Sequence, residues 1–291
     1  MPRQFFICRL VIRKFGLLTS ILTVILSLCI LLSYTASGGV TPLEAHSIQQ
    51  ADSRYDNLIL GVPGKADAIV DRVGFALGYD ETTEQARWVT YLLTGKEATT
   101  KVAKRTDRFL EDPEIPDGSA TDADYRKSGY DRGHLAPAAD MAFSLQTMAD
   151  SFYYSNMSPQ KPAFNRGIWG RLEKQVREFA VAEEKIHVVT GPIFTPDDTI
   201  TIGPNNVGVP SSYYKVIYDL TPPRKMIGFI LPNEGSKRPL QDFAVTVNAV
   251  EAVTGLDFFS LVPEKEKEAL KNTITITDWS WQQTATTGKV K

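Results

Sequence analysis

The hydrophobic pattern along the chain first predicts a set of β-strands. Five segments are rich in β-branched and aromatic residues and are bounded by turn-forming residues, a composition typical of strands. In chain order these segments are RVGFALGYD, ARWVTYLLT, KIHVVTGPIF, SYYKVIYDL and KMIGFILPN.

Two other segments repeat their apolar positions every three or four residues, which predicts helices that are apolar on one face. They are Asn165–Ala182 and Pro239–Thr254, the second followed by Gly255 as a C-terminal stop. Strands and helices are mixed without strict βαβ alternation. The chain is therefore predicted to be α+β, with a largely antiparallel sheet flanked by helices. The apolar positions are Ile168, Trp169, Leu172, Val176 and Phe179 in the first helix, and Leu240, Phe243, Val247 and Val250 in the second.

The N-terminus has the pattern of a targeting segment. Four basic residues precede an uncharged run whose core, Leu17–Ala36, has the ~20 residues that a membrane-spanning helix needs. We expect residues 1–45 to comprise a basic cytoplasmic stub, an N-terminal hydrophobic helix that anchors the protein in the membrane, and the start of a linker. Small residues at 36–38 offer cleavage as the alternative, which would leave a secreted or periplasmic protein. Both alternatives predict an extracytoplasmic location.

Charge and cysteine content narrow the chemistry of the remaining chain. Residues 1–45 hold four of the 32 basic and one of the 34 acidic residues, which leaves 28 basic against 33 acidic residues and a formal charge of about −5. An acidic body argues against general electrostatic capture of a polyanion, so any phosphate chemistry needs a local cationic site. Cys8 and Cys29 are the two cysteines, which excludes disulfides, cysteine-ligated zinc and a cysteine nucleophile from the body.

The stretch GYDRGHLAPAAD places one of only three histidines in an unusual setting. Gly133 and Pro137 favour a turn within this stretch, so the stretch is predicted to be a strand that runs into a turn. His134 has an imidazole that can take up a proton near neutral pH. A lone histidine is more often structural, and from its residue type alone that alternative stays open.

The predicted helix Asn165–Ala182 carries a second group of polar candidates. On a helical wheel Glu173 falls about 80° from Asn165, and Arg177 lies one turn beyond Glu173. All three could therefore line one edge of the buried face. The alternatives are that Asn165 caps the helix and that Glu173 and Arg177 form an exposed i,i+4 ion pair.

Cationic residues are dense in three stretches on either side of His134. These are KVAKRTDR, YRKSGYDR and QKPAFNRGIWGRLEKQVR. Their density indicates an anionic ligand if folding brings them together. The alternative is that they are solvated faces of the protein.

The segment DRGHLAPAAD, followed by SNMSPQKPAFNRGIWGRLE, resembles the DNA/RNA non-specific endonuclease family. The resemblance extends over roughly residues 55 to 262. It implies the ββα-metal, or His-Me finger, nuclease fold, with residues 46–291 as a single endonuclease domain. It also implies a sugar-non-specific, Mg²⁺-dependent enzyme that hydrolyses phosphodiester bonds of DNA and RNA to 5′-phosphate products, with Mn²⁺ as the alternative metal.

The resemblance assigns four principal roles, and each suits the chemistry of its residue. His134 is expected to be the general base that takes a proton from the attacking water. Asn165 is expected to be the single protein ligand of a Mg²⁺ ion that keeps most of its waters, and Glu173 to hold those waters by hydrogen bonds. Arg105 is expected to neutralise phosphate charge in the transition state.

The remaining matched positions have supporting roles in the family. Arg132 and Arg177 match arginines that support the phosphate or the helix, and Asn156 matches an asparagine that orders the site. Asp131 is expected to orient the turn rather than to carry a proton.

The expected partners are DNA and RNA, contacted through the phosphate backbone, and a membrane, contacted through the N-terminal helix. Relatives differ in dimerisation, so a homodimer is an open alternative. Two other functions are alternatives to the nuclease. One is a non-catalytic nucleic-acid-binding surface protein on a nuclease fold, which loss of His134, Asn165 or Glu173 would indicate, and all three are present. The other is a phosphodiesterase for small nucleotides, which would need a closed pocket.

Overall fold

The computed structural model describes residues 55–282, and these lie within one compact unit, Gln49–Lys291. The predicted stub, anchor and linker of residues 1–45 fall outside the described residues.

Strands make up the centre of this unit. All five predicted strand segments are confirmed, and short strands that the hydrophobic pattern did not reveal are added to them. The strands are β1 (Ala68–Asp71), β2 (Ala76–Asp80), β3 (Gln85–Thr94), β4 (Asp131–His134), β5 (Met157–Gln160), β6 (Lys185–Ile193), β7 (Thr201–Ile202), β8 (Val207–Gly208), β9 (Ser212–Asp219), β10 (Lys225–Pro232) and β11 (Ala244–Val245).

Helices surround the strands, and most of them are short. The α-helices are α1 (Gly95–Thr99), α2 (Asp122–Tyr125), α3 (Leu145–Asp150), α4 (Gly170–Ala182), α5 (Val247–Thr254) and α6 (Glu264–Asn272). A π-helical turn covers Phe164–Trp169, and 3-10 turns cover Asp56–Leu58, Tyr154–Asn156, Leu240–Phe243 and Ile276–Asp278.

Seven strands form one sheet in the order β1-β2-β3-β6-β9-β10-β11. Every neighbouring pair in it is antiparallel, which confirms the predicted antiparallel sheet with mixed helices. Both faces of the sheet are covered, so its central strands are nearly continuous runs of buried residues. On one face Leu172, Val176 and Phe179 of α4 pack against the sheet. On the other face Val247 and Val250 of α5 do the same.

Both predicted helices begin later than expected. In the first, Gly167 has φ −107° and ψ −108°, which is not helical, so the regular helix α4 begins only at Gly170. The wheel that placed Glu173 about 80° from Asn165 therefore does not hold. In the second, Pro239 is followed by a 3-10 turn and strand β11, and α5 begins after its N-cap Thr246. Its end is as predicted, because Gly255 adopts a left-handed conformation with φ 68°.

Beside the main sheet, β4 and β5 form a separate antiparallel ribbon. The π-helical turn and α4 follow β5 along the chain. This ribbon and helix carry His134, Asn165 and Glu173, the residues on which the functional argument depends.

Candidate active site

The ribbon owes its tight packing to the glycine of the DRGH segment. A Cβ atom on Gly133 would lie 2.1 Å from Cδ of Gln160, which is closer than two carbon atoms can approach. The side chain of Gln160 thus covers Gly133, and a larger residue would have to displace that side chain. His134 follows directly as the last residue of β4, paired with Met157 of β5.

Asn156 fixes the chain immediately after His134. Its side-chain Oδ1 accepts a hydrogen bond from the backbone N–H of Ala136 at 2.9 Å, and its Nδ2 donates to the Ala136 carbonyl at 3.0 Å. Nδ2 also donates to the carbonyl of Ser151 at 2.9 Å. The amide therefore bonds to Ala136 as a neighbouring strand would, and the predicted ordering role of Asn156 has a physical basis.

His134 is a buried, neutral imidazole. Its ring packs edge-on against Phe152, with centroids 4.9 Å apart, and tilted against Phe109 at 5.9 Å. Burial, and then the nearby charge of Arg105, lowers the pKa of His134 to about 3. Its buried Nε2 has no hydrogen-bond partner within residues 55–282. A neutral ring with an unengaged nitrogen has the lone pair that a general base needs. With a pKa of about 3, however, His134 is a weaker base than the near-neutral imidazole expected from its residue type.

The same two aromatic rings position two of the predicted arginines. The Cζ atom of Arg132 lies 4.2 Å from the ring centroid of Phe109, and that of Arg105 lies 5.0 Å from the ring centroid of Phe152. Cations are attracted to aromatic faces at these distances. Both guanidinium groups therefore lie next to the rings that enclose His134.

A surface cleft of about 590 Å³ opens in front of these arginines. Its lining is polar and mainly cationic, with part of its positive charge balanced by aspartates. Arg105 pairs with Asp107 at 2.6 Å, and Arg132 pairs with Asp122 at 2.9 Å. The lining comprises Arg105, Asp107, Phe109, Asp122, Tyr125, Arg126, Lys127, Tyr130, Asp131, Arg132, Asn165 and Arg166.

Asn165 lines this cleft and is held by Asp131. Its Nδ2 donates to the carboxylate of Asp131 at 3.0 Å, and Arg166 forms two hydrogen bonds with the same carboxylate at 2.8 and 2.6 Å. Because a carboxylate can only accept, the NH₂ end of the Asn165 amide is fixed. Asn165 does not cap the helix, because the N-caps of the π-helical turn and of α4 are Ala163 and Trp169. The orienting role of Asp131 stays a prediction.

The residues present fit a hydrated divalent cation. No donor within residues 55–282 bonds to the carbonyl Oδ1 of Asn165, and neutral amide oxygens are ligands that Mg²⁺ accepts. In the same part of the chain there is no cluster of three or more His, Cys, Asp or Glu side chains that could hold a metal. A site here would therefore rely on one amide oxygen and water.

Glu173 belongs to a group of charged residues between α4 and the main sheet. Burial raises the pKa of Glu173, and the positive charge of Lys215 opposes that rise. Arg177 pairs with Asp140 at 2.7 Å rather than with Glu173, so the expected surface pair does not form. Asp140 also accepts a hydrogen bond from Tyr91 at 2.9 Å, which anchors α4 to strand β3.

The predicted residues thus form two connected groups. Arg105, Arg132 and Asn165 line the cleft, and Asn156 and Arg177 stabilise the chain and the helix behind it. His134 lies against the cleft residue Phe109, and the charge of Arg105 influences the pKa of both His134 and Glu173.

Sequence reasoning missed Lys215, whose side chain is fully buried on the central strand β9. Its Nζ lies 4.8 Å from the ring centroid of Trp169 and has no hydrogen-bond partner in the described part of the chain. The signal was present, because a lysine stood in the middle of the apolar run SYYKVIYDL. Asp140, the partner of Arg177, was also missed, although it closes the quoted motif.

Fold and site together are those of a nuclease family. A family model described as DNA/RNA non-specific endonuclease matches residues 55–265, and the chain belongs to this family.

Individual relatives agree with this assignment. The chain is 36% identical to the mitochondrial nuclease of Saccharomyces cerevisiae over 251 residues, which are 78% of this chain and 76% of that protein. It is 35% identical to human mitochondrial endonuclease G over 212 residues, or 68% of this chain and 71% of the relative. A crystal structure of the EndoG/EndoGI complex, concerned with EndoG inhibition, is similar with a TM-score of 0.67 and 32% identity, covering 72% of this chain and 92% of that one.

The predicted extracytoplasmic location is wrong. The yeast and human relatives are both named as mitochondrial proteins. Within residues 55–282, no helix is long and apolar enough to cross a membrane. Residues 1–43 contain basic but no acidic residues. Because mitochondrial presequences are also poor in acidic residues, this composition does not by itself indicate export.

Proposed function

We propose that this protein is an endonuclease that hydrolyses phosphodiester bonds in DNA and RNA with a histidine general base, a divalent metal held by Asn165, and 5′-phosphate products. The observation that carries this proposal is the unengaged Nε2 of a neutral His134 beside an arginine-lined cleft. Residues 46–291 would form the single endonuclease domain, with β4, β5 and α4 as the ββα-metal unit. A homodimer remains a prediction.

In this mechanism the cleft binds the phosphate backbone and leaves the bases unread. Backbone contacts carry no sequence information, which suits cleavage of any sequence. Arg105 and Arg132 offer positive charge to the phosphate, and charge developing in the transition state is stabilised where such groups are held in place. Their aspartate partners limit the net charge of the cleft, so we expect weak, salt-sensitive substrate binding.

His134 would take a proton from the attacking water at Nε2 as the water oxygen bonds to phosphorus and the 3′ oxygen leaves. Asn165 would hold the metal through Oδ1, and Glu173 would position its waters by hydrogen bonds. A bound divalent metal supplies positive charge next to the scissile phosphate and the leaving oxygen. Mg²⁺ is the expected ion and Mn²⁺ the alternative.

The test is cleavage of supercoiled plasmid by the purified protein with Mg²⁺, with Mn²⁺ and with EDTA, beside the His134→Ala variant. We expect nicking that requires the metal and falls by at least about 10²-fold in the variant, because general-base catalysis contributes ~10²–10⁴-fold. The matched control is His187→Gln, which alters the other buried histidine on β6 and should retain cleavage.

The outcomes separate the alternatives. Near-normal turnover by a folded His134→Ala variant would overturn the assignment of the base. Plasmid binding without cleavage under either metal would favour a non-catalytic binding protein. Faster turnover of a dinucleotide than of plasmid would favour a phosphodiesterase for small nucleotides.

A further inference from the structure

A second groove is lined in part by α4 and shares no lining residue with the active-site cleft. It has a volume of about 650 Å³, close to that of the active-site cleft. Arg171, Lys174 and Lys237 supply three cations to its lining, Trp281 supplies an aromatic ring, and no acidic residue lines it. For a chain with a formal net charge of −2, an acid-free cationic groove is an unusual local arrangement.

The cations of this α4 groove lack the aspartate partners that most cations of the cleft have. Among the described residues, Lys127 is the cleft cation without an ion pair. The four cleft arginines each pair with an aspartate. Across residues 55–282, Arg171, Lys174 and Lys237 form no ion pair. Arg171 instead donates to the carbonyls of Ser236 and Arg238 at 3.2 and 2.8 Å, which fixes its position without neutralising its charge. Two acids lie at the margin of the lining: Glu178 accepts a hydrogen bond from Gln282, and Asp242, which follows Gln241, pairs with Arg238.

The α4 groove and the cleft are close along one continuous segment. Asn165 and Arg166 line the cleft, while Arg171 and Lys174 line the groove. Arg171 lies five positions after Arg166, and five residues of fully extended chain span at most about 18 Å. Because a nucleic-acid duplex rises ~3.4 Å per nucleotide of one strand, a separation of this size corresponds to about five nucleotide steps.

We propose that the α4 groove binds backbone phosphates of the polynucleotide a few nucleotides away from the scissile bond. This deepens the proposed nuclease function and rests on it. Unpaired cations suit a phosphate chain, because each contact releases counterions. The partly exposed ring of Trp281 suits a sugar or base face, since aromatic stacking tolerates any sequence. An acidic protein is the other class of ligand, and the test separates the two.

The test measures binding of the full chain to a 30-base-pair duplex in EDTA, where cleavage is absent, at several salt concentrations. The variant is Lys174→Gln/Lys237→Gln, whose two lysines are exposed and unpaired, so the fold should persist. We expect the slope of log affinity against log salt to become shallower by about 1.8, because each lost phosphate contact removes ~0.9. The matched control is Lys65→Gln/Lys265→Gln, which removes the same charge outside the groove and should keep the original slope.

Tryptophan fluorescence then locates the contact. The chain has four tryptophans, and Trp88, Trp169 and Trp279 are at most 3% exposed, so acrylamide should quench mainly Trp281. Duplex should protect Trp281 in the unmodified protein and in the control, and protect it less in the groove variant. Equal slopes and equal protection in the two double variants would overturn the proposal and leave an acidic protein as the ligand class. Plasmid cleavage with Mg²⁺ by the unmodified protein is assayed separately, so failure of the nuclease function is distinguishable.

Discussion

At the scale of single residues, the environment decides what the two buried histidines within residues 55–282 can do. Burial lowers the pKa of His134 to about 3 and that of His187 to about 4. His187 bonds through Nε2 to the hydroxyl of Thr90 at 2.8 Å inside the main sheet. Within residues 55–282 each ring has one buried nitrogen without a partner, Nε2 of His134 and Nδ1 of His187. What distinguishes His134 is its position beside two arginines. Residue type alone cannot distinguish a structural histidine from a catalytic one. Only the DRGH motif around His134 distinguishes the two in the sequence.

The structure also shows why some site residues could not be predicted. The charge of Lys215 lies between α4 and the sheet because β9 is central, and strand order is not visible in a single sequence. Arg177 was predicted as a site residue, but its partner Asp140 lies 37 positions away in the chain. Local spacing finds candidates on one element and misses contacts between elements.

Arg105 should matter more than another arginine of the same cleft. Arg105 and Arg126 both line it and both pair with an aspartate, but only Arg105 lies over Phe152 beside His134. We expect Arg105→Gln to lower kcat by ~10²-fold, the usual effect of losing one stabilising group in the transition state. Arg126→Gln should change kcat by less than about tenfold, and steady-state kinetics on a fluorescent duplex measure both. Equal losses would mean that general cleft charge, rather than position, sets the role of Arg105.

At the scale of elements, sequence patterns located the long strands well and the helix starts poorly. Strands β3, β6, β9 and β10 run eight to ten residues each and are recognisable by their apolar content. The pattern also continued through Phe164–Trp169, because apolar spacing persists where Gly167 breaks the helix. Short elements such as α2, with four residues, offer too few positions for any periodicity to appear.

The β4–β5 ribbon gives a direct test of how packing positions the site. In Gly133→Ala the added methyl group would meet the Gln160 side chain at 2.1 Å, and overpacking of this kind costs about 1–3 kcal/mol. Because His134 is the next residue, we expect a lower kcat as well as a lower free energy of unfolding.

The double variant Gly133→Ala/Gln160→Ala removes the obstructing side chain and should recover both quantities in large part. Gln160→Ala alone is the control and should be mild, since both amide atoms of Gln160 lack hydrogen-bond partners within residues 55–282. Urea unfolding and plasmid cleavage measure the two effects. An unrepaired double variant would show that Gly133 is needed for a reason other than space.

At the scale of the whole molecule, an acidic chain directs its positive charge to particular surfaces. Aspartates pair with the cleft arginines, while the α4 groove retains unpaired cations. Overall composition therefore predicted the need for a local cationic site and could not predict where it lies. That depends on which loops the antiparallel sheet brings together.

The two buried histidines should make the whole fold sensitive to acid. The folded-state pKa is about 3 for His134 and about 4 for His187. Both values lie below the ~6.5 expected for a histidine in the unfolded chain. Between these values the unfolded chain binds more protons, so stability is full above pH ~6.5 and falls as the pH drops, by about 1.4 kcal/mol per pH unit for each histidine. Burial raises the pKa of Glu173 and Asp150, which acts in the opposite direction.

The contribution of these carboxylates to the pH dependence cancels when the unmodified protein is compared with the His187→Gln variant, because both proteins contain them. Glutamine can still donate a hydrogen bond to Thr90 but does not titrate. The free energy of unfolding of the variant should therefore fall less steeply between pH 6.5 and 5 than that of the unmodified protein, and the two slopes should differ by about 1.4 kcal/mol per pH unit. Urea unfolding of both proteins at pH 7.5, 6.5, 5.5 and 5.0 measures the difference. Parallel curves would mean that His187 is protonated in the folded protein or protected in the unfolded chain, and the neutral state inferred for the equally buried His134 would lose its support.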